Sequence, residues 1–230
     1  FTQDSDADIL VNLGGYIAST TMRNADVKKV SNNEIEGSFD TYGRHWGGPE
    51  NVKVHFVIRF DKDFERLDGW RDKERYSDID TLQGSSIITR RHPKEELSYL
   101  DSPTSGVSAH YRVKTGDKIC VRTAISYVSV DNARENLEND AVTWDFDLVK
   151  KTSQDEWNKW LGRIEVKGGS QKQRTKFYTD LWHVLLGRHK IDDVNGEYPD
   201  LTEGERYYSY TRNIHPKTRT LPRGEDGKVL

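Results

Sequence analysis

One cysteine, Cys120, stands in the whole chain, which excludes an internal disulfide and any thiolate metal cage. No apolar run approaches the roughly 20 residues that a helix needs to cross a bilayer. Basic blocks are missing too. The 35 basic and 38 acidic residues are interspersed and sum to a net charge of -3, so no stripe tracks a phosphate backbone and nucleic acid is not an expected partner. Apolar residues are scarce as well, at 33% against 32% charged. Six tryptophans and eleven tyrosines offset that shortage, because each aromatic side chain buries a large area. The 230 residues suffice for one large all-β domain or a domain and a half. The chain opens on FTQDSDADILVNL, without a methionine or a polar leader. The native N-terminus, and any signal peptide with it, is therefore expected upstream of Phe1.

The first two thirds read as strands. NVKVHFVIRF alternates strictly, with Val52, Val54, Phe56, Ile58 and Phe60 on one face and Lys53, His55 and Arg59 on the other, the pattern of a half-buried strand. DILVNLGGYIAST is an apolar run broken at Gly14 and Gly15, and EIEGSFD, SSIITR, SAHYRV and KICVRTAISYVSV add further β-like segments between turn signals such as KTGDK. Short strands with antiparallel-type turns predict a β-sandwich.

The character changes near Ser129. SVDNARENLEND offers Asp131 or Asn132 as a helix cap, and SQDEWNKWLGRI places Trp157, Trp160, Leu161 and Ile164 at helical spacing after a Ser153 cap. Core packing is the expected role of the two tryptophans. A third helix, from about Gln171 to Leu186, carries Phe177, Leu181, Val184 and Leu185 on one apolar side, which should be covered by the sandwich or by a neighbouring chain. The stretch after Asp200 is rich in proline, glycine and charge, and reads as an extended arm. The expected class is thus mainly β, an antiparallel sandwich followed by a few α-helices, which either cap it or begin a second domain.

Three segments in series carry a resemblance: VSVDNARENLENDAVTWDFDLV, WNKWLGRIEVKGG and KFYTDLWHVLLGRHKIDDVNGEYPD. In order and spacing they resemble the junction in family 92 glycoside hydrolases, the calcium-dependent exo-α-mannosidases. Upstream, NADVKKVSNNEIEGSFDTYG and VKVHFVIRFDKDF resemble strands of that family's N-terminal sandwich. The resemblance implies a fragment of a longer protein in which a sandwich precedes an (α/α)6 barrel. It divides the chain into an incomplete sandwich at 1–130, linker helices with a short strand at 131–170, and the first barrel helix with an extended arm at 171–230.

It also implies a function: removal of terminal α-linked mannose, α-1,2-linked first of all, by calcium-dependent inverting hydrolysis, in a secreted, periplasmic or cell-surface protein. The partners are mannose-containing glycans and the remainder of the parent chain. The family's acid, base and calcium motifs match no position present, so no residue is assigned a catalytic or metal role, and no calcium ligands are identified. Candidate sugar contacts are Trp46 in GRHWGG, where a loop aromatic can stack on a pyranose or fold back on the sandwich, His183 on the third helix, and Asp193 and Tyr198 in DDVNGEY.

That last stretch lacks the spaced oxygen ligands of an EF-hand. Its carboxylates, Asp192, Asp193 and Glu197, are expected to be solvated turn residues. His183 and His189 have no third ligand at zinc spacing and read as helix-surface or barrel-wall residues. Asp180 stands where the family carries a small or apolar residue, and faces either a barrel lumen or solvent. Two other readings compete: a non-catalytic carbohydrate-binding sandwich with Trp46 and exposed tyrosines as stacking platforms, and a purely structural or interaction domain.

Overall fold

The computed structural model describes residues 1–17, 20–42, 51–84, 104–140, 142–186, 191–200, 216–227 and 229. Trp46, His189 and the SSIITR segment lie outside them. Contacts divide the chain into a sheet unit, Phe1–Val142 with Asp192–Leu230, and a helical unit, Thr143–Ile191.

Two antiparallel sheets form the sandwich of the sheet unit. One is four-stranded, with β1 (Ser5–Asn12), β9 (Ser105–Val113), β6 (Arg66–Arg71) and β7 (Glu74–Tyr76) in that spatial order. In the other, β10 (Val121–Ser126), β5 (Asn51–Phe60), β4 (Glu34–Tyr42), β3 (Thr20–Ser31) and β2 (Gly15–Ile17) run side by side, and β8 (Thr81–Gln83) also pairs with β3. Between them lies one core. Val27, Ile35, Phe56, Ile58 and Phe60 enter from the second sheet and Leu67, Val107, Ala109, Tyr111 and Val113 from the first. The architecture is the expected β-sandwich. Its aromatic centre is Phe60, with ring centroids 5.9 Å from Phe64 and 6.1 Å from Tyr111; burial pushes the Tyr111 phenol above its ordinary range.

The alternation along β5 predicts its core face, but Val57 on the opposite face is also fully buried. The reason is α1 (Val130–Asp140), which sets Ala133 and Leu137 against Val57 on the outside of the second sheet. Residues 130–140 are thus packed onto a sheet. The cap differs from the expected Asp131 or Asn132. Ser129 fills it: its Oγ accepts from the Asn132 amide N–H at 3.0 Å and its hydroxyl donates to Asn132 Oδ1 at 2.9 Å. Ser129→Ala is expected to lower stability by about 1 kcal/mol, read as a lower urea midpoint with an unchanged slope.

The arm after Asp200 is partly a strand. β11 (Glu197–Pro199) pairs with β12 (Thr218–Thr220), Tyr198 opposite Arg219. Gly196, at the turn, has φ +86, a left-handed conformation that a Cβ would strain.

The helical unit holds α2 (Phe146–Leu161) and α3 (Gln171–Leu186). The expected Ser153 cap lies mid-helix. Asp145 caps instead, accepting from the Leu148 amide at 3.0 Å, and no glycine or proline interrupts the run from there to Leu161. Ser170 and Gln173 form a reciprocal capping box at the start of α3. Trp157 meets Trp182 edge-on at 6.1 Å, but Trp160 lies outside any core, under the Arg163 guanidinium at 3.9 Å. Neither helix buries a residue, and Val184 is 66% exposed. Within the helical unit, α2 covers only a single seam of the apolar side of α3. Asp180 pairs with Lys176 at 2.7 Å on the helix surface.

Candidate functional site

The turn that carries the proposed sugar contacts buries its central carboxylate. Asp193 is 5% exposed. Its Oδ2 accepts from Ser126 Oγ at 2.7 Å and Asn132 Nδ2 at 2.8 Å, and its Oδ1 accepts from Asn136 Nδ2 at 2.7 Å. Ser126 is the last residue of β10, and Asn132 and Asn136 stand four residues apart on α1, so one helix face presents both amides. The expectation of solvated carboxylates is thereby corrected for Asp193: a buried carboxylate must be hydrogen-bonded, and the donors come from an element distant in sequence.

The surrounding backbone is fixed by the same set. The Asp193 amide donates to the Glu197 carbonyl and the Gly196 amide to the Asp193 carbonyl, both at 2.8 Å. The Val194 amide donates to Asn136 Oδ1 at 2.9 Å, and Asn132 Nδ2 also reaches Glu197 Oε2 at 2.9 Å. Arg223 donates to the Asn195 carbonyl at 2.9 Å. DDVNGEY is therefore clasped between α1 and the hairpin strand.

This arrangement holds a chain segment in place and leaves little for chemistry. With hydroxyl and amide donors on both oxygens, Asp193 is occupied as a structural acceptor. Those donors also make the cluster unfit for calcium, which needs oxygen lone pairs pointing inward. Among the described residues no group of three or more histidine, cysteine, aspartate or glutamate side chains could hold a metal ion.

A second polar cluster fastens the other side of α1. Arg134 donates to Glu34 and Glu36, and Arg59 donates to the same Glu34 carboxylate. Burial pushes the Glu34 carboxyl up, but the hydrogen bonds from Arg134 and Arg59 outweigh it and hold the group below the usual carboxylate range. Arg134 is likewise held above its usual range, because its bonds to Glu34 and Glu36 outweigh its own desolvation.

Of the four expected sugar contacts, the structure gathers two. Asp193 and Tyr198 share the clasped turn and its strand, with Tyr198 half-buried. His183 is exposed on α3, its ring 5.0 Å from that of Trp182. Trp46 lies outside the described residues. The sequence reading missed Ser126, Asn136 and the donor role of Asn132; the only local signal was the spacing of the two asparagines.

Comparison with known proteins agrees with this layout. Residues 1–126 match the glycosyl hydrolase family 92 N-terminal domain and residues 132–221 the glycosyl hydrolase family 92 catalytic domain. The fold is similar to that of the family GH92 α-mannosidase BT3965 from Bacteroides thetaiotaomicron, with a TM-score of 0.67 and 21% identity over 88% of this chain and 25% of that one. The same enzyme in complex with mannoimidazole gives 0.65 and 22% over 88% and 24%. The family GH92 inverting mannosidase BT2199 from Bacteroides thetaiotaomicron VPI-5482 gives 0.65 and 19% over 94% and 25%. No curated protein matches the sequence significantly. The chain spans about a quarter of the length of these structural neighbours. With both family models matched in order along its length, the chain belongs to glycosyl hydrolase family 92.

Proposed function

We propose that this chain is part of a glycoside hydrolase that removes terminal α-linked mannose, α-1,2-linked first of all, from glycans. The observation that carries the reading is the ordered match of the family's N-terminal and catalytic models to one chain. Mannosidase neighbours, one of them bound to mannoimidazole, support the choice of sugar. Inverting hydrolysis needs a general acid on the leaving oxygen and a base that activates water, with space for that water between the carboxyls. Asp193 serves neither role, since its oxygens hold α1 and β10. The acid, the base and a calcium ion that assists them belong, on this proposal, to parts of the parent enzyme outside these 230 residues. The parent acts outside the cytoplasm, at the cell surface, in the periplasm or in secreted form. What the chain itself supplies is a rigid sandwich with a clasped turn.

The test is mannose release from α-1,2-mannobiose by the parent enzyme and by this chain, each with added calcium and with chelator. The parent should release β-mannose first, seen by proton NMR, and lose activity to chelator. This chain should release none. Release by the chain alone would overturn the division of labour, and a parent inert on all α-mannosides would overturn the mannosidase reading.

A further inference from the structure

The outer face of the four-stranded sheet has a composition that sandwich packing does not require. Successive rows along β1, β9 and β6 follow from the register. Asn12 lies beside Gly106, which lies beside Trp70, with Arg75 of β7 beyond. The next row on the same face is Leu10, Ser108 and Asp68, and the one after it Asp8, His110 and Arg66. At Gly106 the missing side chain matters: a Cβ there would lie 2.4 Å from both Cζ2 and Cη2 of Trp70. The indole therefore lies across the sheet in the space a side chain would fill.

Groups in this row and along the same face have unused hydrogen-bonding capacity. Among the described residues the Trp70 indole N–H has no partner, and neither does the Asn12 amide NH2. Asp8 Oδ1 accepts from Ser108 Oγ at 2.9 Å and meets His110 Nδ1 at 3.2 Å, which leaves Oδ2 available on an exposed residue. Leu10 adds an apolar side chain that is 66% exposed.

Charge decides the class of ligand. Asp6, Asp8, Asp68 and Glu65 stand among Arg66, Arg75 and Arg112; Arg66 is already paired with Asp68 at 2.9 Å, and Arg112 lies 3.7 Å from both Asp6 and Glu65. The face has no field of one sign to draw a polyanion. An aromatic ring with a donor amide and an indole N–H in its own row, and a carboxylate oxygen two rows (about 13 Å) along the same face, suits a neutral polyhydroxyl chain, whose apolar C–H face stacks while its hydroxyls bond along the face.

We propose that this face, centred on Trp70, binds a neutral glycan chain. That the glycan is an α-mannan rests on the mannosidase reading; that it is a neutral glycan rests on the face alone. The test is titration of the 230-residue chain with soluble α-mannan, a β-glucan, a galactan and heparin, read by tryptophan fluorescence and calorimetry. Trp70→Leu should weaken α-mannan binding about tenfold or more, exposed Asn12→Ala should weaken it severalfold without touching the fold, and Trp70→Phe should recover part of the loss.

Trp182→Phe, with far-UV circular dichroism as a check on folding, should leave binding unchanged. Binding of β-glucan or galactan alone, lost in Trp70→Leu, would keep the glycan face and remove the mannan assignment. Preference for heparin, failure of the folded chain to bind any of the four, or binding indifferent to both Trp70→Leu and Asn12→Ala would overturn the proposal. None of those results would bear on mannose release by the parent.

Discussion

Asp193→Ala should destabilise the sheet unit by about 4 kcal/mol, because it strands three donors at once. Ser126 Oγ, Asn132 Nδ2 and Asn136 Nδ2 all lose the carboxylate that accepts from them. Asn132 retains Glu197 and Asn136 retains the Ile125 carbonyl, so the loss falls short of three full desolvation penalties. Asp193→Asn should not rescue it fully, since its NH2 would face amide donors that need an acceptor. The check is urea unfolding followed by far-UV circular dichroism, and a midpoint within error of wild type would refute the role assigned to the carboxylate.

Arg134→Met comes next, at about 3 kcal/mol near pH 7, the low end for breaking a buried pair because Arg134 is partly exposed. Its pH dependence is the sharper test. In the wild type the Glu34 carboxyl is held below its ordinary value of 4.5. Its contribution is therefore fully present above about pH 4.5 and disappears as pH falls through the lower folded value. Without Arg134 the burial that pushes Glu34 up meets opposition from Arg59 alone, so the ionised carboxylate becomes a burden that protonation relieves. The deficit of Arg134→Met should thus be largest at pH 7 and narrow towards pH 4. A deficit independent of pH across that range would mean that Arg134 acts through packing of its stem and not through Glu34.

What the sequence disclosed, and what it hid, follows the range of the interactions. Strand β5 was legible because its alternation is written in ten adjacent residues. The next strand in sequence, β6, RLDGWR, was not, since its inward positions are Leu67 and a glycine while Arg66, Asp68 and Trp70 face outward. Helix α3 was legible to the residue, whereas α2 was entered too late because Ser153 offered a plausible cap inside a run already started by Asp145. Asp193 was placed in a turn correctly and in solvent wrongly. Local turn chemistry sees DDVNG, but the donors that bury its carboxylate stand 57, 61 and 67 residues upstream. Tyr198 was found in the same turn through resemblance, and the only local pointer to Asn136 was its spacing from Asn132.

That separation has a consequence for how the molecule assembles. Residues 143–191 leave the sheet unit and return to it as one excursion, and the clasp at Asp193 is where the returning strand is received. The closing contact therefore bears the entropy of a loop of some sixty residues, while every strand pair of the second sheet can form before it. Folding should proceed with β3 to β5 early and the Asp193 clasp late, so Asp193→Ala should accelerate unfolding and leave the refolding rate nearly untouched. For the same reason a single proteolytic cut within the excursion would not release the returning hairpin: the covalent link would be gone, and the two pieces would stay together as a non-covalent complement held by Ser126, Asn132 and Asn136.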